Sequence, residues 1–162
     1  MLLREALVNC NGERCLEIGC GNCFNLVALA ARYDLVVGTD LIDLDKASSG
    51  IGVVIADRSS CFRDSAFDLV VFNPPYLPSA SIEDPAVDGG EGGMDIPILF
   101  LQEALRVLKN EGRIIMLLSS LCDLSRFKQF CEGRNLSIKT IKEKKIFYEM
   151  LYVYEIRKAI EV

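Results

Sequence analysis

Short runs of β-branched and other apolar residues alternate along the chain with stretches in which apolar positions recur every three or four residues. The two patterns predict strands and helices in turn. Strands are predicted at Arg14–Ile18, Leu35–Thr39, Val53–Ala56, Phe67–Phe72 and Arg113–Leu118. Helices are predicted at Asn25–Arg32, at Ile96–Leu108, and at Leu124–Cys131 with Gly133 just beyond it. The second of these carries Ile98, Leu99, Leu101, Leu105 and Leu108 on one face and is expected to stop at Asn110 and Gly112. Leu41–Ser48 supports at most a stunted helix, and Leu2, Leu3, Ala6 and Leu7 give Met1–Asn11 a helical pattern. The chain closes with two extended stretches, Leu136–Lys144 and Phe147–Arg157, only a couple of residues apart.

Strands that alternate with helices specify an α/β domain with a mainly parallel sheet, because parallel neighbours need a crossover connection. The last two strands are too close for a crossover and are expected to pair as an antiparallel hairpin. The expected architecture is one domain over residues 1–162, with no linker, repeat or composition shift to mark a second. One long connection, Leu77–Met94, holds four glycines, two prolines, four acids and no base. Loops beyond about 12–15 residues in compact domains are usually functional, and this one follows directly on an unusual tetrapeptide, so it is read as a flap.

Composition narrows the chemistry. A chain of 162 residues has room for one sizeable core, and 51% hydrophobic residues exclude a disordered or low-complexity scaffold. The formal charge of −5 and a pI near 4.8 argue against a module that grips a nucleic-acid backbone. There is no histidine, so Ser-His-Asp and Cys-His systems, His-ligated zinc and His-ligated haem are excluded. Seven cysteines is an odd number, and Arg4 and Glu5 interrupt the only early apolar run, so a reduced cytoplasmic protein is expected. No stretch approaches the roughly 20 apolar residues that span a bilayer. The mild apolar excess, with mean hydropathy +0.26, must therefore be buried in the core or against a partner.

Three motifs carry the chemistry. The first, Cys15-Leu16-Glu17-Ile18-Gly19-Cys20-Gly21-Asn22-Cys23, is an apolar strand running into a glycine turn at a helix start, the place where open α/β sheets bind ligands. A dinucleotide fingerprint would need a third glycine at position 24, where Phe24 stands. Adenosylmethionine has no phosphate and needs instead an acid, a tight turn and room, which Glu17, Gly19 and Gly21 supply. The second motif ends the next strand in Asp40, placed to accept from both ribose hydroxyls or else to cap the short helix after it. Asp57 ends the strand after that, where it either accepts from an adenine amino group or caps a turn with Arg58 and Ser59.

The third motif is Asn73-Pro74-Pro75-Tyr76, at the carboxyl end of Phe67–Phe72. Two successive prolines remove two backbone donors and fix φ, so the carbonyls of Asn73 and Pro74 are held rigidly with few local partners. An amide side chain beside a rigidly aimed carbonyl is a matched pair of acceptors for a planar NH2 group. Tyr76 offers a flat face for a planar substrate.

With EIGCGNC, GTD and above all FDLVVFNPPY on the page, the sequence resembles the adenosylmethionine-dependent amino-methyltransferases that carry the Asn-Pro-Pro-Tyr signature. The Gly-rich Asp88–Met94 and the helix and strand at Ile96–Leu118 make it most similar to the HemK-related release-factor glutamine methyltransferases of the eukaryotic and archaeal kind. The resemblance spans Cys15 to roughly Tyr154. It implies a Rossmann-like class I methyltransferase fold, a mainly parallel seven-stranded sheet ending in an antiparallel hairpin. It implies S-adenosyl-L-methionine held by Glu17, Gly19, Gly21, Asp40, Leu41, Asp57 and Asn73, with Asn73, Pro74, Pro75 and Tyr76 as the catalytic set and no metal. The implied substrate is the glutamine of a Gly-Gly-Gln motif in a translation release factor.

Two departures from the family pattern stand out. Cys23 occupies the third glycine position of the cofactor loop and adds a side chain there. Relatives also carry an E-P-x-x-D-T-type segment upstream of the first strand, where this chain has only Met1–Asn11; either the start lies further upstream or the site is more open.

Remaining features are read more plainly. Cys15, Cys20 and Cys23 have an iron–sulfur-like spacing, but Leu16 and Ile18 make that stretch a strand, and buried thiols are expected. Residues 126–162 hold nine bases and five acids, a net of +4, whereas residues 1–125 hold nine and eighteen, a net of −9. Lys139, Lys142, Lys144 and Lys145 fall on an expected edge strand, where lysines block edge-to-edge pairing. The opposite edge, Ile51–Ala56, is uncharged and invites strand addition by another chain. Relatives work with a small zinc-binding activator protein, and such a partner is expected on that edge. Two alternatives remain: the same chemistry on adenine or guanine, disfavoured by the acidic charge, and a non-catalytic adenosylmethionine-binding subunit, disfavoured by the intact tetrapeptide.

Overall fold

The computed structural model describes residues 2–42 and 51–159. A first short helix, α1 (Leu2–Ala6), leads to β1 (Gly12–Ile18), α2 (Phe24–Leu29), β2 (Tyr33–Asp40), β3 (Gly52–Ile55) and β4 (Phe67–Phe72). Two short strands follow, β5 (Leu77–Pro78) and β6 (Asp88–Gly90), then a 3-10 turn at Glu91–Gly93. The chain ends with α3 (Asp95–Val107), β7 (Leu108–Ser119), α4 (Leu124–Glu132), β8 (Leu136–Ile146) and β9 (Glu149–Lys158).

Seven strands form one sheet in the order β3-β2-β1-β4-β7-β9-β8. The first five run parallel, and β9 pairs antiparallel with both β7 and β8. The expected fold class is therefore observed, and the lysine-rich strand and the uncharged strand are the two edges.

The central strands read as continuous apolar runs because both of their faces are covered. Side chains alternate: Leu16, Val70, Phe72, Ile114 and Met116 enter the core shared with α3 and α4, while Cys15, Leu69, Val71, Ile115 and Leu117 enter the core shared with α1 and α2. Glu17, two residues after Cys15, consequently faces the α2 side. The last core strand, β9, contributes Tyr154 and Ile156 to the first core and Val153 to the second.

The structure corrects several sequence expectations. Leu77–Met94, expected as one long loop, contains two short strands: β5 and β6 pair parallel within it, with Leu77 opposite Asp88. The turn signal at Asn110 and Gly112 is not a loop between α3 and the next strand. The helix stops at Val107, Leu108 is already extended, and the extra residues form an irregularity between the pairs Phe67–Leu108 and Leu69–Arg113. The second helix is shorter than predicted, ending at Leu29. Of the stunted helix at Leu41–Ser48, only Leu41 and Ile42 belong to the described residues, where they form a bend. At the uncharged edge Ile51 is buried, whereas Ile55 is 61% exposed beside the similarly exposed Leu41 and Ile42.

Candidate active site

Parallel strands end together at one side of the sheet, and the conspicuous residues of the sequence collect there. After β1 the chain turns sharply through Gly19 (φ +68), Gly21 (φ +48) and Cys23 (φ +59). The amides of Gly19 and Cys20 both donate to the Thr39 carbonyl, at 2.8 and 2.9 Å, which ties the turn to the end of β2. Asp40 completes the tie. Its Oδ2 accepts from the Gly21 amide at 3.0 Å and its Oδ1 from the Leu41 amide at 2.8 Å. Each carboxylate oxygen thus keeps lone-pair capacity for a ligand.

These residues line a cavity of about 360 Å³, within the range of small-molecule sites. Gly19, Gly21, Asp40, Leu41, Asp57, Asn73 and Pro75 all contribute to its wall, so seven of the candidate positions come together in one place. Asp57 is paired with Arg58 at 3.0 Å, and both side chains border the cavity. The tetrapeptide divides this space from a smaller one of about 170 Å³, bounded by Asn73, Pro74, Pro75, Tyr76, Leu77 and Val87 with Ala86 common to both. Asn73 and Pro75 face both spaces. Among the described residues neither the Asn73 side chain nor the Asn73 and Pro74 carbonyls have a partner, which leaves a cluster of aimed acceptors at the junction.

Glu17 is the candidate residue that does not reach the wall. It is 3% exposed, its Oε1 accepts from Asn25 Nδ2 at 2.6 Å, and its Oε2 has no partner. Burial pushes its carboxyl up to about 8, against the lowering effect of the Asn25 bond, and nearby Asp40 adds to the rise. The Cys23 thiol is buried, as expected, with its Sγ 3.8 Å from that of Cys20, and Cys23 is not among the residues of the wall.

Tyr76 is held from behind by glycines. A Cβ on Gly93 would stand 2.2 Å from the Tyr76 carbonyl, and one on Gly89 2.7 Å from the Tyr76 Cα. The Gly-rich segment is therefore the packing surface of the tetrapeptide. Burial and the facing Glu149 and Cys122 push the Tyr76 hydroxyl up.

Several wall residues had no sequence signal. Ile96 and Phe100 reach the cavity from α3, and Ile82, Pro85 and Ala86 come from the segment between β5 and β6. Thr39 lines it as well, with a buried Oγ1 that has no partner. The site suits S-adenosylmethionine: a Cβ on Gly21 would meet nothing within 4 Å, so the turn borders open space, and the polar Asp40, Asp57 and Asn73 share the wall with apolar Ile18, Leu41, Ile82, Ile96 and Phe100.

The chain resembles known proteins over this whole architecture. The family model described as Eco57I restriction-modification methylase matches residues 26–153. A Methanocaldococcus jannaschii protein, provisionally named a protein N5-glutamine methyltransferase, is 32% identical over 75% of this chain and 69% of its own length. A release factor glutamine methyltransferase of Bradyrhizobium diazoefficiens is 34% identical over 64% of this chain, which spans only 42% of that relative. Among solved structures, the E. cuniculi Mtq2-Trm112 complex responsible for methylation of the eRF1 translation termination factor superposes with a TM-score of 0.82 at 26% identity. That likeness covers 97% of this chain and 93% of the other.

Proposed function

Since the chain belongs to the Eco57I restriction-modification methylase family and is similar to proteins named as glutamine methyltransferases, we propose that it methylates the side-chain amide of a protein glutamine, using S-adenosylmethionine. The observation that carries the reading is the junction at Asn73, where one residue borders a cofactor-sized cavity and a smaller side-chain-sized one.

The bound cofactor supplies a methyl group activated by its sulfonium charge. Asp40 would accept from the ribose hydroxyls, Asp57 and Leu41 would hold the base, and the glycine turn would leave room for the methionine part. Glu17 acts from beneath the turn rather than by contact. An amide nitrogen is a poor nucleophile because its lone pair is delocalised. Asn73 Oδ1 and the Pro74 carbonyl accept its two hydrogens, hold it in line with the methyl and favour the charge that grows on it. Transfer would form a C–N bond at that nitrogen as the S–C bond of the donor breaks, with one amide proton leaving to water. Tyr76 and Pro75 flank the amide plane, while Phe100 and Ile82 keep the mouth apolar. No titrating base is required, in keeping with a sequence that has no histidine.

The substrate proposed is the Gly-Gly-Gln loop of a translation release factor. A small partner, of the zinc-binding kind, is proposed on the Ile51–Ala56 edge, where β3 is the last strand of the sheet among the described residues and Ile55, Leu41 and Ile42 are exposed. The same acceptors would fit an adenine amino group, and the family name favours that second reading. The charge of −5 and an acidic segment beside the mouth oppose it. Incubation with labelled S-adenosylmethionine and either purified release factor or structured RNA, with and without the small partner, tests the choice. Label on the glutamine is expected, and label in RNA alone overturns the reading.

A further inference from the structure

The β8–β9 hairpin keeps its pairing to the tip, from Leu136 opposite Lys158 to Ile146 opposite Glu149, so only Phe147 and Tyr148 form the turn. Two-residue turns of this kind favour Asn-Gly or Asp-Gly, whose backbones accept positive φ without cost. Here a phenylalanine holds φ +37, with its side chain 90% exposed, and the next residue, Tyr148, is 100% exposed. Neither local conformation nor core packing rewards these two side chains, and such conflicts concentrate at functional surfaces. Lys144 and Lys145, both exposed, stand beside them.

The tip is on the catalytic side of the sheet. β9 pairs antiparallel with β7 as far as Ser119 opposite Leu151, at the end of β7 that adjoins the active site. Three further residues carry Tyr148 about 10 Å beyond that level. The turn after β7 is shared by both features. Its Ser120 amide donates to the Met150 carbonyl at 2.8 Å, Ser120 Oγ accepts from the Met150 amide at 2.9 Å, and its Cys122 thiol donates to the Tyr76 carbonyl at 3.5 Å. Ser119 Oγ donates to Glu149. The hairpin base is thereby braced against the tetrapeptide.

We propose that the Phe147–Tyr148 tip, with Lys144 and Lys145, is a docking surface for the folded protein that carries the target glutamine. This rests on the glutamine reading above. A side chain in the 170 Å³ space does not reach the tip, so only a macromolecular substrate touches both. The two segments differ in charge: Lys144 and Lys145 stand beside the tip, whereas Glu83, Asp84 and Glu91 belong to the segment that borders the cavity through Ile82, Pro85, Ala86 and Asp88. That arrangement complements a folded polypeptide bearing both signs and repels, on one side, a uniformly anionic phosphate backbone.

The test compares the wild-type chain, with its small partner, against two double variants: Phe147→Asn with Tyr148→Gly, which installs the favoured turn, and Lys144→Glu with Lys145→Glu. Each is assayed on intact release factor and on a short Gly-Gly-Gln peptide, with cofactor binding measured by calorimetry. Expected are a KM for the intact factor raised about tenfold or more, an unchanged kcat, and unchanged peptide methylation and cofactor affinity. An unchanged KM for the intact factor, with wild type active on both substrates, overturns the docking surface alone. A wild type that labels structured RNA, with binding lost in the variants, or that labels neither factor nor peptide, overturns the glutamine reading and the docking surface together.

Discussion

Asn25 donates to Glu17 Oε1 at 2.6 Å across the contact between α2 and β1, and it is the one hydrogen-bond donor found for a carboxyl that is 3% exposed. Glu17 belongs to the face that β1 turns toward α2, so the helix that follows the glycine turn also supplies a donor to the acid beneath it, which offsets part of the rise that burial imposes.

A pH dependence of stability follows. The Glu17 carboxyl is pushed from its ordinary 4.5 to about 8, chiefly by burial. Between those values the folded chain holds a proton that the unfolded chain has released, so this group's contribution is present below about 4.5 and is lost as pH rises through about 8. In cofactor-free protein the urea midpoint of wild type should fall between pH 5 and pH 9 by more than that of Glu17→Gln, which mimics the protonated carboxyl. Parallel profiles for the two proteins would contradict a raised carboxyl.

Asn73→Ala removes the polar side chain among the three residues that border both cavities. The residue is exposed and unpaired, so the variant should fold with a melting temperature near wild type. Turnover on the glutamine substrate should fall by about two orders of magnitude or more, the usual effect of losing one oriented polar group. Stopped assays with labelled cofactor give kcat, and calorimetry should show cofactor affinity changed far less. Near-normal turnover would remove Asn73 from the catalytic set.

Gly93 and Gly21 both hold positive φ but should respond differently to alanine. At Gly93 the new Cβ collides with the Tyr76 carbonyl, so the backbone of the tetrapeptide must shift as well as strain. Gly93→Ala should cost about 1–3 kcal/mol of stability and lower turnover with it. At Gly21 nothing lies within 4 Å. Gly21→Ala should keep most of its stability and weaken cofactor binding, because the methyl group enters the cavity. Denaturation curves and calorimetry on the pair separate the two effects, and equal loss of cofactor affinity in both would undo the distinction.

The parts of this site that are legible in sequence are those whose chemistry is contiguous. Gly19–Gly21, Asp40 and Asn73–Tyr76 each follow directly on a strand, and parallel pairing brings strand ends together without further information. The fold class was legible for the same reason, since the spacing of strands and helices decides which pairs are parallel. Phe100 and Ile96 were not, because an apolar position on a helix reads the same whether it meets the sheet or the rim of a cavity, and Ile82 was not, because it lies in a segment between strands that has no periodic pattern to read. Glu17 was legible as an acid but not as a buried one; its burial depends on the α2 face of the sheet and on Asn25, eight residues away. Asn110 and Gly112 signal a turn correctly, yet the pairing of β7 with β4 absorbs that turn as an irregularity inside a strand.

The last prediction concerns the uncharged edge. Among the described residues β3 pairs only with β2, and Ile55 at its end is 61% exposed. The opposite edge, β8, carries Lys139, Lys142, Lys144 and Lys145, the usual protection against strand addition. A chain guarded on one edge and left apolar on the other is arranged for a partner on the second. Ile55→Lys extends the same protection to β3 at an exposed position, so the chain's own melting temperature should move by no more than a few degrees. Co-expressed with the source organism's counterpart of Trm112, the wild type should elute as a heterodimer and Ile55→Lys as separate chains. Lys142→Ala, on the guarded edge, should leave the heterodimer intact. A heterodimer that survives Ile55→Lys, or that is lost with Lys142→Ala, would move the partner to another surface.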